Sequence, residues 1–186
     1  MASGPAERAR LLVRARDYVL TRGVVDLSLS ELARGVGSNN RMLLYHFGSL
    51  DGILGAVVDE ILDGTALTTR LGQLLRSGGS PAERVGAAWR HISDPGRLTH
   101  LRLFFTRFGL AADDPDRYRD FLDRTRDEWT DTVAAALDGA VDEPRGTAIA
   151  VVALWRGLQM LLIGGEPRAA VDAAHDRAVA ALLGRE

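Results

Sequence analysis

Asn39, Asn40, Arg41, Leu44, Tyr45 and His46 crowd into one run of eight positions, and their side chains share a chemistry. An arginine fork pairs with guanine in a bidentate contact, and an asparagine amide suits adenine. Asn40, Arg41 and Tyr45 are therefore the candidates for contacts in a nucleic-acid groove or on its rim. Leu44 can pack or touch a thymine methyl. Asn39, His46 and the upstream Ser28 suit phosphates or helix caps, which fix register without reading sequence. Leu43 and Phe47 in the same run are expected to be core.

These groups need a scaffold that presents them together. The stretch Ser28 to Phe47 reads SLSELARGVGSNNRMLLYHF. Ser28 followed by Glu31 has the form of a capping box. Leu29, Leu32, Ala33 and Val36 then recur at helical spacing. Gly37 stands where a tight interhelical turn needs φ > 0, and Asn39 is placed to cap a second short helix. Two short helices joined by a glycine turn form a helix-turn-helix, whose second helix lies in the major groove of DNA.

The run ELARGVGSNNRMLLYHFGS resembles the DNA-binding signature of the TetR family of bacterial transcriptional regulators. Glu31-Leu32-Ala33 match the start of that signature and Gly37 its glycine. Asn39 takes the place of its capping serine, and Leu43, His46 and Phe47 match its end. Leu44 stands where the family usually has Tyr, with Tyr45 in the variable place after it. Leu50 stands where it usually has a phosphate-contacting Lys. The resemblance implies a homodimer that binds a palindromic double-stranded DNA operator and a small-molecule pocket in the C-terminal body, with repression the commoner outcome.

Charge is distributed in keeping with this. Residues 1–50 hold seven arginines against four carboxylates, a net of +3, so with −2 overall the remainder carries −5. A basic N-terminal third on an acidic body fits a nucleic-acid module attached to something else. Arg8 or Arg10 could reach a phosphate from the first helix. Every basic residue other than histidine is arginine, and cysteine is absent, which excludes disulfides and thiolate chemistry. No signal-peptide pattern opens the chain, and the sequence suggests no apolar run of membrane-spanning length. The expected location is cytoplasmic, with no membrane partner.

An enzyme is not expected: Gly-x-Ser-x-Gly and P-loop patterns are missing. His46, His91, His100 and His175 are scattered, so no metal site is expected, and no cofactor.

The fold class expected is all-α, with a three-helix head at residues 1–48 and a helical ligand-binding and dimerisation body at 49–186. Helices are expected over 6–22, over 50–76 with a kink at Gly64, from Ser80, from Asp94, and over 115–137, 145–163 and 167–183. Trp89, Phe104, Phe105, Phe108, Trp129 and Trp155 are the candidate ligand liners, with His91, His100, Arg102 and Gln159 as polar groups, which suggests a mostly apolar ligand. The helix over 145–163 is apolar on nearly every side, so a second molecule is expected to cover part of it. Paired with 115–137 in the four-helix bundle that the resemblance to TetR regulators implies, it offers Val133, Val151, Val152, Leu158 and Leu162 as interface candidates. The rival reading is a helical interaction protein whose head no longer reads DNA.

Overall fold

In the computed structural model, which describes residues 4–24, 26–63 and 66–184, every regular element is helical. Helix α1 (Gly4–Arg22) buries Leu11, Ala15 and Val19, one residue per turn along a single face. Helix α2 (Leu29–Gly35) starts at the capping box: Ser28 Oγ accepts from the Glu31 amide at 3.2 Å, and the Ser28 amide donates to Glu31 Oε2 at 3.0 Å. It ends where Gly37 takes φ 63°, while the Ser38 amide reaches back to Ala33 O at 2.8 Å. That left-handed closure is what glycine permits without cost to a Cβ. Helix α3 (Asn40–Phe47) follows, then α4 (Leu50–Asp63).

The body consists of α5 (Ala66–Leu75), α6 (Pro81–Ile92), a 3-10 turn (Pro95–Arg97), α7 (Leu98–Asp113), α8 (Arg119–Leu137), α9 (Pro144–Ile163) and α10 (Arg168–Leu183). Ser80 and Glu83 form a second capping box ahead of α6. The stretch 50–76 is helical over α4 and α5, and the expected kink at Gly64 lies outside the described residues. One expectation changes. Helix α8 starts at Arg119 because Asp114 Oδ1 accepts from the Arg117 amide at 3.3 Å and holds residues 115–118 as a turn. The acidic cluster there caps a turn.

The apolar interior does not divide at residue 48. Leu11, Leu32 and Leu43 of the head share one cluster with Ile53 and Val57 of α4, Leu103 and Phe104 of α7, and Phe121 of α8. A second cluster joins Leu71, Trp89, Trp129, Val133, Val151, Trp155 and Val179 across α5, α6, α8, α9 and α10. Helix α4 is thus packed into the head and into the body at once.

Polar contacts repeat that connection. Arg16 of α1 pairs with Glu60 at 2.8 Å, Arg124 of α8 pairs with Asp59 at 2.6 Å, and Arg117 reaches Asp51 at 3.3 Å. Exposed pairs of this kind contribute little singly, about 0–1 kcal/mol each.

Helix α10 is tied to α6 by a denser set. Trp89 Nε1 donates to Asp172 Oδ1 at 2.7 Å, Asp172 pairs with Arg168 at 2.8 Å, and Arg168 donates to the Ser93 carbonyl and hydroxyl. The expectation of no apolar run of membrane-spanning length is corrected: α9, with a mean hydropathy of 1.6 over its most apolar window, is long and apolar enough to span a bilayer. Its Ala148, Val151, Trp155, Leu158 and Gln159 are buried against the rest of the body, as in the core helix of a helical bundle.

Candidate nucleic-acid interface and the body behind it

Helix α3 has an inside and an outside. Leu43 is fully buried, whereas Leu44 is 42% exposed, Tyr45 is 77% exposed and Arg41 is exposed beside them. A Tyr left this open gives up the burial its ring would otherwise gain. The helix is held at its start: Asn39 Oδ1 accepts from the Met42 amide at 3.0 Å, and Asn40 Nδ2 donates to Ser30 Oγ of α2 at 2.9 Å. Ser28 and Asn39 both act as N-caps here, the role expected of them. Asn40, read as a base contact, also braces α3 against α2.

His46 turns Nε2 inward, where it has no hydrogen-bond partner, and its ring meets Tyr45 edge-on at 4.9 Å. In this arrangement its Nε2 faces side chains rather than solvent. Arg8 places its guanidinium 4.8 Å from the Phe47 ring centroid, so this arginine braces the end of α3. Leu50, at the start of α4, is half-buried and carries no charge toward the surface.

The expected ligand aromatics fall into two groups. Trp89 and Trp155 are buried with their indole N–H groups already used, Trp89 on Asp172 and Trp155 on His175 Nε2 at 3.3 Å. The Arg156 guanidinium packs over both Phe104 of α7 and Trp129 of α8, 4.1 Å and 4.6 Å from the ring centroids. Phe105 lies edge-on to Phe104 at 5.2 Å, and Phe108 is largely exposed.

Of the polar candidates, Gln159 is fully buried, His91 and His100 are half-buried, and Arg102 is exposed. Burial, with help from Arg97, pushes the His100 pKa below its usual value. A separate small apolar cavity of about 20 Å³ lies between α1, α4 and α7; its lining includes Val57, Leu103 and Leu110 and none of the expected aromatics. Sequence reasoning missed Arg156, because its ring partners sit on other helices.

The comparisons identify the architecture. No protein-family model matches the sequence, and no curated protein does. Solved structures do. A transcriptional regulator from Rhodococcus sp. RHA1 superposes with a TM-score of 0.79 at 22% identity, over 95% of this chain and 96% of that one. A TetR-family regulator from a Rhodococcus species gives 0.69 at 21% identity, over 95% and 98%. EbrR, described as a multidrug binding protein complexed with imidazole, gives 0.72 at 20% identity, over 98% and 92%. The chain has the fold of the TetR-family transcriptional regulators.

In this TetR fold the expected interface residues are placed inside. Val133, Val151 and Leu158 are buried in the chain's own second core, and Val152 and Leu162 pack half-buried against it. The side chains of Val133, Val151 and Leu158 are thus spent within the subunit, while Val152 and Leu162 keep part of their surface open. The uncovered stripe of α9 is instead Ile149 (55% exposed), Ala153, Gly157, Met160 (58%) and Leu161 (50%). The outer face of α8 is charged, with Arg126 and Asp131 engaged in ion pairs with Asp127 and Arg145, whereas α10 exposes Ala169, Ala173 and Ala180.

Proposed function

We propose that the protein is a DNA-binding transcriptional regulator that binds a palindromic operator as a homodimer in the cytoplasm, and that a small, mostly apolar ligand in the body releases it. The observation that carries this reading is the outer face of α3. Arg41, Leu44 and Tyr45 project together from a helix fixed by Asn39 and Asn40, in a fold shared with proteins described as transcriptional regulators. One short helix reads few bases; two related by a dyad read half-sites about 34–36 Å apart. The apolar stripe on α9 and the alanine face of α10 supply a surface for that dyad. A dimer seated on a promoter obstructs polymerase, which makes repression the expected outcome.

The packing of α4 against α1 and α3 of the head and against α7 of the body supports the switching role. A ligand that fits one position of α4 better than another shifts the spacing of two heads, by no more than its differential affinity for the two states.

Fluorescence anisotropy with DNA from upstream of the protein's own gene, against scrambled DNA and at two salt concentrations, tests the proposal. Selective binding that weakens steeply with salt is expected. Arg41→Ala should cost about 1–3 kcal/mol and relax sequence preference at one position. If genome-wide selection of bound fragments also returns no preferred sequence, the head is a structural remnant and the interaction-protein reading replaces this one. Leu50, which brings no phosphate-contacting charge, is the observation behind that second reading.

A further inference from the structure

Arg156 is a charged group in a place that offers it no counter-charge. Its guanidinium carbon lies close to two ring centroids, Phe104 on α7 and Trp129 on α8, and the side chain is half-buried. Among the described residues no carboxylate forms an ion pair with it, and no carbonyl accepts from it. The rings engage the faces of the guanidinium and leave its N–H donors to solvent, with no protein acceptor. Desolvation lowers the Arg156 pKa to about 10, the direction expected of a half-buried cation with no carboxylate beside it.

A second polar group nearby is in the same position. Gln159 lies three residues further along α9 and shares that side of the helix. It is fully buried, donates Nε2 to Ile92 O at 3.4 Å, and leaves Oε1 without a partner. On the facing helix, His100 stands one turn before Phe104 with Nδ1 enclosed and unpartnered. Buried polar atoms are nearly always satisfied, so unsatisfied ones on facing helices beside a lone cation call for a missing partner.

We propose that Arg156, packed over Phe104 and Trp129, anchors the carboxylate of an organic acid with an apolar or aromatic body, and that such an acid is the effector class of this protein. The proposal rests on the reading of the body as ligand-binding and narrows it from apolar compounds to anions. An arginine fork suits a carboxylate because two parallel N–H donors meet two oxygens, in a charge-assisted pair. The rings beside the fork supply the apolar wall for the rest of the molecule. Gln159 Oε1 is available to a donor on the ligand, such as a hydroxyl.

The test uses the full chain without DNA, so its outcome is separate from that of the operator reading. Benzoate, phenylacetate and 3-phenylpropionate are titrated against the corresponding amides, by calorimetry and by the fluorescence of Trp129 beside the site. At least one acid should bind saturably, with its amide at least about tenfold weaker. Arg156→Gln should weaken the acid by about the same factor and leave the amide unchanged, and Arg156→Lys should retain part of the affinity. Thermal melts of both variants check folding, and Arg156→Met should melt no lower than the parent because it removes an uncompensated charge. Equal binding of acid and amide, unaltered acid binding by Arg156→Gln, or no saturable binding of any of the three acids at millimolar concentration would each overturn the proposal. An acid that binds a protein showing no DNA selectivity would leave this site standing and remove the operator reading alone.

Discussion

Tyr118 donates its phenolic hydrogen to Asp51 Oδ1 at 2.5 Å, joining the turn before α8 to the first turn of α4. Arg107 of α7 sits 5.1 Å from the Tyr118 ring centroid and reaches the same Asp51 at 4.0 Å. Burial raises the Tyr118 pKa above its usual value, with the bond to Asp51 acting in the same direction, so the hydroxyl remains a donor throughout the physiological range.

Tyr118→Phe keeps the ring and deletes this bond. A hydrogen bond to a charged acceptor contributes about 1.5–3 kcal/mol, and the arginines that remain around Asp51 offset part of the loss. A destabilisation of about 1 kcal/mol in urea melts is expected. With Asp51→Asn as the second arm, a double-mutant cycle should return a non-zero coupling energy. Simple additivity would show that the two side chains are neighbours without energetic linkage.

A second close approach lies inside the head. An added Cβ at Gly35 would fall 2.0 Å from Tyr18 Cε2 and 2.4 Å from Cδ2, so α2 sits against α1 only because residue 35 has no side chain. Gly35→Ala gains about 0.5–1 kcal/mol of helix propensity. It must displace the Tyr18 ring, and overpacking of this kind costs about 1–3 kcal/mol. The expected net effect is a lower melting temperature. In a Tyr18→Ala background the sign should invert, and a Gly35→Ala change that stabilises both backgrounds would remove the clash as the explanation.

What could be read from the chain alone follows the range of the interactions. The capping boxes at Ser28 and Ser80, the turn at Gly37 and the cap at Asn39 are set by residues three or four apart, and a linear reading finds them. The outward face of α9 was hidden. A helix apolar on nearly all sides has no contrast between faces, so Val151 and Ile149 look alike in sequence although one is buried and the other exposed. Arg156 lacks a local signature because its rings come from α7 and α8.

Stability should fall with acid. His175 is fully buried and stacks on Trp89 at a centroid distance of 5.1 Å. Its Nε2 accepts from Trp155 Nε1 at 3.3 Å, which places the proton on Nδ1, 3.1 Å from Asp176 Oδ1. Desolvation depresses the His175 pKa below its usual value, against the pull of Asp176. The unfolded chain therefore takes up a proton near pH 6.5 that the folded chain refuses. Stability from this group is complete above about pH 6.5 and declines below it, by at most about 1.4 kcal/mol per pH unit. His100, depressed in the same direction, adds to the decline. His175→Phe should lower stability at neutral pH while flattening the acid slope between about pH 6.5 and 5. An unchanged slope in that variant would assign the acid sensitivity elsewhere.

The last prediction concerns which helices meet in a dimer. Ile149, Ala153, Gly157, Met160 and Leu161 form a stripe on α9, and the open face of α10 carries Ala169, Ala173 and Ala180 with Asp176 and Arg177 between them. Small residues let helices approach to about 8 Å, where flanking Met and Leu side chains interdigitate. The outer face of α8 carries ion pairs, which an obligate interface seldom buries. Leu161→Asp and Ala173→Glu should each give a monomer, because either places a carboxylate in a desolvated seam. Arg126→Glu on α8 should leave the dimer intact. Sedimentation velocity at a fixed protein concentration, with circular dichroism to confirm folding, separates the arrangements. A dimer that survives both α9 and α10 substitutions but dissociates on Arg126→Glu would restore the pairing of α8 with α9.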